Sequence, residues 1–124
     1  MAPSVITVTL TLPDIRTHRG SKVKLDTVFS VENVMNATGT LSFRRSTNNG
    51  VFQTIVTVEI DADGSDVILP NLTWVDEPPS GCHIYEAVLT LSLVVTSDFQ
   101  SRAFNAIVFD PSKKATFLVN TQVN

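Results

Sequence analysis

The sequence predicts an all-β protein, an eight-stranded antiparallel sandwich that is most simply a jelly roll. The chain has 124 residues, the usual size of one domain with one hydrophobic core. Valine, isoleucine and threonine make up 39 of these residues, and their β-branched side chains favour strands. Several segments alternate apolar and polar residues, whereas no segment has a helical period of useful length.

The first predicted strand runs from Val5 to Leu12, where threonines alternate with apolar residues. Since no charged residue occurs in 1–13, this strand would be an aggregation hazard if it were left exposed. It either folds back as the first strand of its own sandwich or inserts into a neighbouring subunit, and the residues leave both alternatives open. A polar loop is predicted next. We therefore divide the chain into a connector (1–13), a linker (14–20) and a jelly-roll head domain (21–124).

Assembly through the connector would use its apolar residues. The predicted assembly residues are Ala2, Pro3, Val5, Ile6, Val8, Leu10 and Leu12. A strand inserted head-to-tail into the next subunit makes a contact that does not close on itself, and such contacts produce filaments.

Seven further strands are predicted in the head domain. Their approximate ranges are 22–32, 40–44, 51–60, 67–72, 84–95, 102–109 and 115–123. The strand at 84–95 is apolar on both faces, which predicts a central strand or a subunit contact. Asn48, Asn49 and Gly50 favour a tight hairpin, and residues 76–81 contain two prolines, which predicts a bend outside the sheet.

Composition argues against several classes of function. Nine basic and twelve acidic residues give a net charge of −3 without a large basic cluster, which argues against nucleic-acid binding. No segment approaches the roughly 20 apolar residues of a membrane span, and residues 1–12 do not resemble a signal peptide. The single cysteine excludes an intramolecular disulfide, so the fold must be held by its core or by assembly.

The sequence also predicts that the protein is not an enzyme and that it has no cofactor. Cys82 lacks a glycine-rich elbow or an oxyanion motif, and we interpret it as a buried thiol or as an inter-chain thiol. His83 follows it directly, but neighbours on a strand point to opposite faces and cannot easily share one metal ion. The residues Asp61, Asp63 and Gly64 resemble the start of a calcium loop, yet the later glutamate is missing, which favours a hairpin turn.

Trp74 and the two adjacent arginines have both structural and functional interpretations. Trp74, the only tryptophan, could serve as a binding-site aromatic, but packing in the core or at a corner is favoured. Arg44 and Arg45 end a strand, where charge is typical of a protected sheet edge.

Three segments, 21–26, 74–81 leading to 83–85, and 101–109, resemble the endospore appendage (Ena-like) fibre subunits of Bacillus and its relatives. They are also similar to the jelly-roll heads of collagen-like exosporium proteins. The resemblance implies a tumour-necrosis-factor-like jelly roll, commonly trimeric, whose N-terminal connector docks on the next subunit. It further implies synthesis in the mother cell without a signal peptide and display on the outer face of the spore, with an exosporium anchor protein as a possible partner. Appendage subunits often use several cysteines, whereas only Cys82 occurs here.

The sequence therefore predicts a structural subunit of a spore-surface fibre, assembled as trimers that are chained by N-terminal strand docking. Its main partner would be further copies of itself, and neither nucleic acid nor a membrane is expected as a partner. The alternative is a trimeric recognition head for adhesion, which would bind a carbohydrate or protein receptor through loops 48–50 and 61–65. A viral capsid or tail jelly roll shares the same geometry.

Overall fold

The computed structural model describes residues 4–32, 34, 36–64, 67–93, 98–111 and 116–123. These residues form nine β-strands. The strands are β1 (Ser4–Thr17), β2 (Lys22–Glu32), β3 (Ala37–Thr47), β4 (Gln53–Ala62), β5 (Val67–Ile68), β6 (Asn71–Asp76), β7 (Gly81–Leu93), β8 (Asp98–Phe109) and β9 (Thr116–Val123). The described part of the chain contains no helix long and apolar enough to cross a membrane.

The strands form two antiparallel sheets, and the predicted all-β sandwich is confirmed. One sheet has the order β1-β7-β3-β4. The other has the order β5-β2-β8-β9, and β6 also pairs with β2. Consecutive strands cross between the sheets except at β3–β4, β5–β6 and β8–β9, which is the pattern of a jelly roll. The strand predicted at 67–72 is divided in two at Pro70, which has no amide hydrogen for the sheet.

The hydrophobic core lies between the two sheets and follows the period of two that the sequence predicts. Alternate residues of β7 are fully buried from Tyr85 to Leu91. Across the interior, Phe43 of β3 stacks on Phe104 of β8 with ring centroids 5.3 Å apart. Strand β7 pairs with β1 on one side and with β3 on the other, so the prediction of a central strand is confirmed.

Strand β1 belongs to this core in the single chain. It pairs antiparallel with β7 from Ser4 to Thr17, and it buries Leu10, Leu12 and Ile15. The predicted loop at 14–20 is wrong over its first four residues, since the strand continues to Thr17 after a register shift at Pro13 and Asp14. The chain thus adopts the fold-back alternative. Docking of the same strand on a neighbouring subunit stays a prediction.

The paired arginines do not protect an edge, which corrects the interpretation of Arg44 and Arg45. Strand β3 lies between β4 and β7 and is therefore an interior strand of its sheet. Arg44 lies 3.6 Å from the Glu86 carboxylate and 5.3 Å from the centre of the Phe52 ring. Arg45 lies 2.7 Å from the Asp76 carboxylate. Both arginines therefore bind side chains of the same chain.

Candidate functional site

The outer edge of β1 is the first candidate surface. Strand β1 ends its sheet, and none of the described strands pairs with its outer side. Natural sheet edges are usually protected by charge, proline or a bulge. Here those features begin only at Pro13 and Asp14, where the register shifts and Asp14 has a positive φ of 58°. The edge from Ser4 to Leu12 has none of them.

The predicted assembly residues divide between the two faces of β1. Leu10 and Leu12 are buried, and Ile6 and Val8 pack partly buried against the same core. Val5 is 68% exposed. The remaining two predicted residues, Ala2 and Pro3, lie outside the described residues. Packing inside one chain therefore accounts for most of the apolar residues of the segment, and the free backbone edge is what remains for a partner.

Strand β9 lies at the same open side of the sandwich. It ends the second sheet beside β8, as β1 ends the first, and its sequence from Thr116 to Val123 contains no charged residue. Among the strands that the structure describes, none pairs with its outer side. One side of the sandwich is therefore bounded by two strand edges that carry no charge over Ser4–Leu12 and Thr116–Val123, and we call it the β1/β9 side.

The opposite side, bounded by β4, β5 and β6, contains the second candidate surface. An open groove of about 590 Å³ lies there, within the range of roughly 300–1,000 Å³ typical of ligand pockets. Its lining residues are Arg45, Ile55, Trp74, Val75, Asp76 and Glu77. Trp74 lies between the buried Leu72 and Asp76 in the alternation of β6, yet it is 43% exposed. The ring therefore belongs to the groove rather than to the closed core, against the favoured interpretation from sequence.

A network of hydrogen bonds supports one wall of this groove. We call it the polar cluster, and its members are Thr17, Arg45, Thr47, Asp76, His83 and Tyr85. Arg45 Nη1 and the Tyr85 hydroxyl both donate to Asp76 Oδ2, each at 2.7 Å. The side chains of Arg45 and Asp76 are only 15% and 10% exposed. Charge-assisted bonds in such a poorly solvated place are stronger than those on the surface.

His83 forms the buried end of the polar cluster. Its Nε2 lies 2.7 Å from Thr17 Oγ1 and 3.0 Å from the Pro79 carbonyl, and its Nδ1 lies 3.0 Å from Thr47 Oγ1. Arg45 Nε donates to that same threonine oxygen at 3.2 Å. These partners fit a neutral ring that carries its hydrogen on Nε2 and accepts the Thr47 hydrogen at Nδ1. The network thus joins the proline-containing bend before β7 to strands β1 and β3.

Burial sets the protonation states in the polar cluster. It lowers the pKa of His83 below the ordinary 6.5, and the positive charge of Arg45 acts in the same direction. The Pro79 hydrogen bond and the Asp76 carboxylate raise that pKa and so oppose part of the shift. Burial, followed by the hydrogen bond to Asp76, raises the pKa of Tyr85 well above its ordinary 10.0. At neutral pH the cluster therefore holds a neutral histidine and a neutral tyrosine beside one ion pair.

The structure separates Cys82 from its neighbour His83, as the alternation of a strand requires. Cys82 is a partly buried free thiol with its Sγ 4.0 Å from Asp14 Oδ1, whereas the His83 ring faces the interior. Asp63 and Gly64 lie in the bend after β4, where the Gly64 amide donates to Asn36 Oδ1. In the described ranges, no group of three or more histidine, cysteine, aspartate or glutamate residues is arranged to hold a metal ion.

Sequence reasoning missed the polar cluster, although one signal for it was present. His83 has the same parity as Tyr85 and the buried residues that follow it, so alternation alone would have placed its ring inside. The partners Thr17, Arg45 and Asp76 come from three other strands. Their convergence depends on which strands are neighbours, and a single sequence does not show that.

Comparisons with known proteins support the fold. No family model and no curated protein matches the chain. Among solved structures, it is similar to the VP2 subviral particle of infectious bursal disease virus, with 13% identity and a TM-score of 0.50 over 97% of this chain and 36% of that one. Tailspike protein 4 (enzymatically active domain) of bacteriophage CBA120 matches with 12% identity and a TM-score of 0.43, over 96% and 14% of the two chains. A CBM4 structure matches with 13% identity and a TM-score of 0.34, over 76% and 73%. The chain thus spans a minor part of the two viral proteins. At 13% identity, the similarity to the VP2 subviral particle shows the fold alone.

Proposed function

We propose that this protein is a non-enzymatic structural subunit that assembles with copies of itself through strand β1 into a spore-surface fibre or appendage. The observation that carries the proposal is the uncharged edge of β1 from Ser4 to Leu12, with which none of the described strands pairs on its outer side. Its free amide and carbonyl groups can accept a further strand, and main-chain hydrogen bonds of that kind join many protein chains. The fold supports a structural role as well, since a jelly roll also forms the VP2 subviral particle.

Two parts of this proposal, the location on the spore surface and the trimer, rest on the resemblance of segments 21–26, 74–81 leading to 83–85, and 101–109 to endospore appendage subunits. Under this proposal, trimeric heads are chained axially through β1 and held by packing and backbone pairing, since Cys82 is the only thiol. An exosporium protein would anchor the fibre.

The test places charge on the edge of β1 without disturbing the core. Thr7 and Thr9 are exposed, and they lie opposite Thr90 and Val88 of β7 on the outer face of the sheet. We expect Thr7→Lys/Thr9→Lys to remain folded but to stay as discrete heads, because charged edges resist strand addition. Negative-stain microscopy and light scattering of the purified protein would measure this.

The matched control places the same two charges on an interior strand. Thr40 and Ser42 of β3 pair with the same two residues of β7 and lie on the same face, but both sides of β3 are paired. Thr40→Lys/Ser42→Lys should therefore still form fibres. Fibres from the β1 variant, or a wild-type protein that does not elongate at high concentration, would contradict the proposal and favour the recognition head.

A further inference from the structure

The groove between β4 and β6 has features of a ligand site that self-assembly through β1 does not use. It opens on the side opposite to β1, and its walls come from both sheets. Trp74 presents a half-exposed aromatic ring there, beside Ile55 and the half-exposed Val75. Ligand sites are typically concave and combine aromatic and apolar side chains with a few polar groups, and this groove has both.

The polar wall of the groove is held by hydrogen bonds and has unused hydrogen-bonding capacity. Asp76 Oδ2 receives both Arg45 and Tyr85, whereas no described residue donates a hydrogen bond to Asp76 Oδ1. Arg45 uses Nε for Thr47 and Nη1 for Asp76, and its Nη2 has no acceptor in the part of the chain that the structure describes. Asp76 and Arg45 both line the groove, and each thus keeps one polar atom without a hydrogen-bond partner among the described residues, an acceptor on Asp76 and a donor on Arg45.

The charges of the groove favour a neutral ligand. Arg45 is neutralised by Asp76 at 2.7 Å, and the Glu77 carboxylate lies 3.4 Å from the Lys22 ammonium group. A phosphate or a strongly basic peptide would meet no uncompensated charge of the opposite sign. A ligand that offers hydroxyl groups and an apolar face would satisfy both the open hydrogen-bonding positions and the indole ring.

We propose that this groove binds an oligosaccharide, with one pyranose ring packed on Trp74 and its hydroxyl groups bonded to Asp76 Oδ1 and Arg45 Nη2. The apolar C–H face of a pyranose matches the indole surface, and a pair of adjacent hydroxyls matches a carboxylate beside a guanidinium group. The binding is independent of the edge of β1, so a fibre would carry this site on every subunit.

The only tryptophan makes the proposal directly measurable, since its fluorescence reports on the groove alone. We would titrate the full chain with cellohexaose, chitohexaose and mannohexaose, and we expect a saturable change in emission with at least one of them. Calorimetry would then compare variants. Trp74→Ala should weaken binding about tenfold or more through loss of the stacked aromatic surface, and Trp74→Phe should retain most of the affinity.

The matched control is Phe109→Ala, because Phe109 is similarly exposed, at 47% against 43%, but does not line the groove. It should leave affinity unchanged. Circular dichroism of each variant separates loss of fold from loss of binding. The proposal would be overturned by the absence of saturable binding to all three oligosaccharides, or by equal affinities of Trp74→Ala and the wild type. Binding of an uncharged extended peptide in place of the sugars would also overturn it. Fibre formation is measured separately, so failure here leaves the role of β1 intact.

Discussion

The two open sides of the sandwich differ in the charge that their strand edges carry. On the β1/β9 side, the sequences Ser4–Leu12 and Thr116–Val123 contain no charge, and β1 is held by backbone pairing and apolar packing. On the opposite side, which β4, β5 and β6 bound and which we call the β4/β6 side, Glu59 and Asp61 lie on the edge strand, and a buried ion pair supports a groove. Both sides end a sheet, so the contrast in charge is not a consequence of topology. Under the two proposals, one side meets another backbone and the other meets a ligand.

The largest expected effect tests whether β1 is held by its own chain. Leu12 is 1% exposed, whereas Val5 is 68% exposed. In the Thr7→Lys/Thr9→Lys background, Leu12→Ala should lower the free energy of unfolding by about 2–5 kcal/mol, because it leaves a cavity in the core. Val5→Ala should change it by about 0.5 kcal/mol or less. Urea denaturation measures both.

The opposite result would change the comparison of the two sides. If Leu12→Ala left the unfolding free energy unchanged, Leu12 of β1 would not pack in the core. An unfolding midpoint that rises with protein concentration would instead show that the strand is exchanged between copies, with the register Leu12 to Tyr85 satisfied by a neighbour.

Much of the fold could be predicted from sequence because it depends on local patterns. Alternation of apolar and polar residues placed strands near their observed positions, and Asn48 and Asn49 adopt the positive φ that their hairpin requires. The end of β1 could not be predicted, because Pro13 and Asp14 normally break a strand and here form a bulge instead. The groove was missed for a different reason: the exposure of Trp74 depends on its place beside the open side of the sandwich, which is a property of the whole fold.

A smaller effect is expected from the hydroxyl of Tyr85, which tests the polar wall on the β4/β6 side. Tyr85→Phe removes one hydrogen bond to Asp76 but leaves the ion pair with Arg45. The unfolding free energy should fall by about 1 kcal/mol, the usual net value of one hydrogen bond, with a somewhat larger loss if Asp76 shifts. Urea denaturation at neutral pH measures it. An unchanged stability would mean that the wall is held by the ion pair and by packing alone.

The smallest effect is expected from pH, because the influences on His83 partly cancel. Burial lowers the pKa of His83 below 6.5, while the Pro79 hydrogen bond opposes the shift. As the pH falls below about 6.5, the unfolded chain therefore binds a proton that the folded chain does not, and the unfolding free energy declines until the pH reaches the folded pKa. Above about pH 6.5, the contribution of His83 to the unfolding free energy is fully present.

Thermal unfolding of the wild type and of His83→Gln between about pH 8 and pH 5 measures this decline and sharpens the comparison of the two sides, since the difference between the two proteins isolates the contribution of the polar cluster. A proton on Nδ1 would face the Thr47 hydroxyl, whose oxygen already accepts from Arg45, so the cluster cannot easily accommodate the charged ring. His83→Gln should remove the decline, whereas His18→Gln, at a histidine whose side chain is 64% exposed, should leave the contribution of His83 in place. A wild-type protein with the same pH dependence as His83→Gln would show that the buried ring accepts its proton as readily as in the unfolded chain. In that case the groove wall would have to rearrange on protonation, and oligosaccharide affinity would fall over the same pH range.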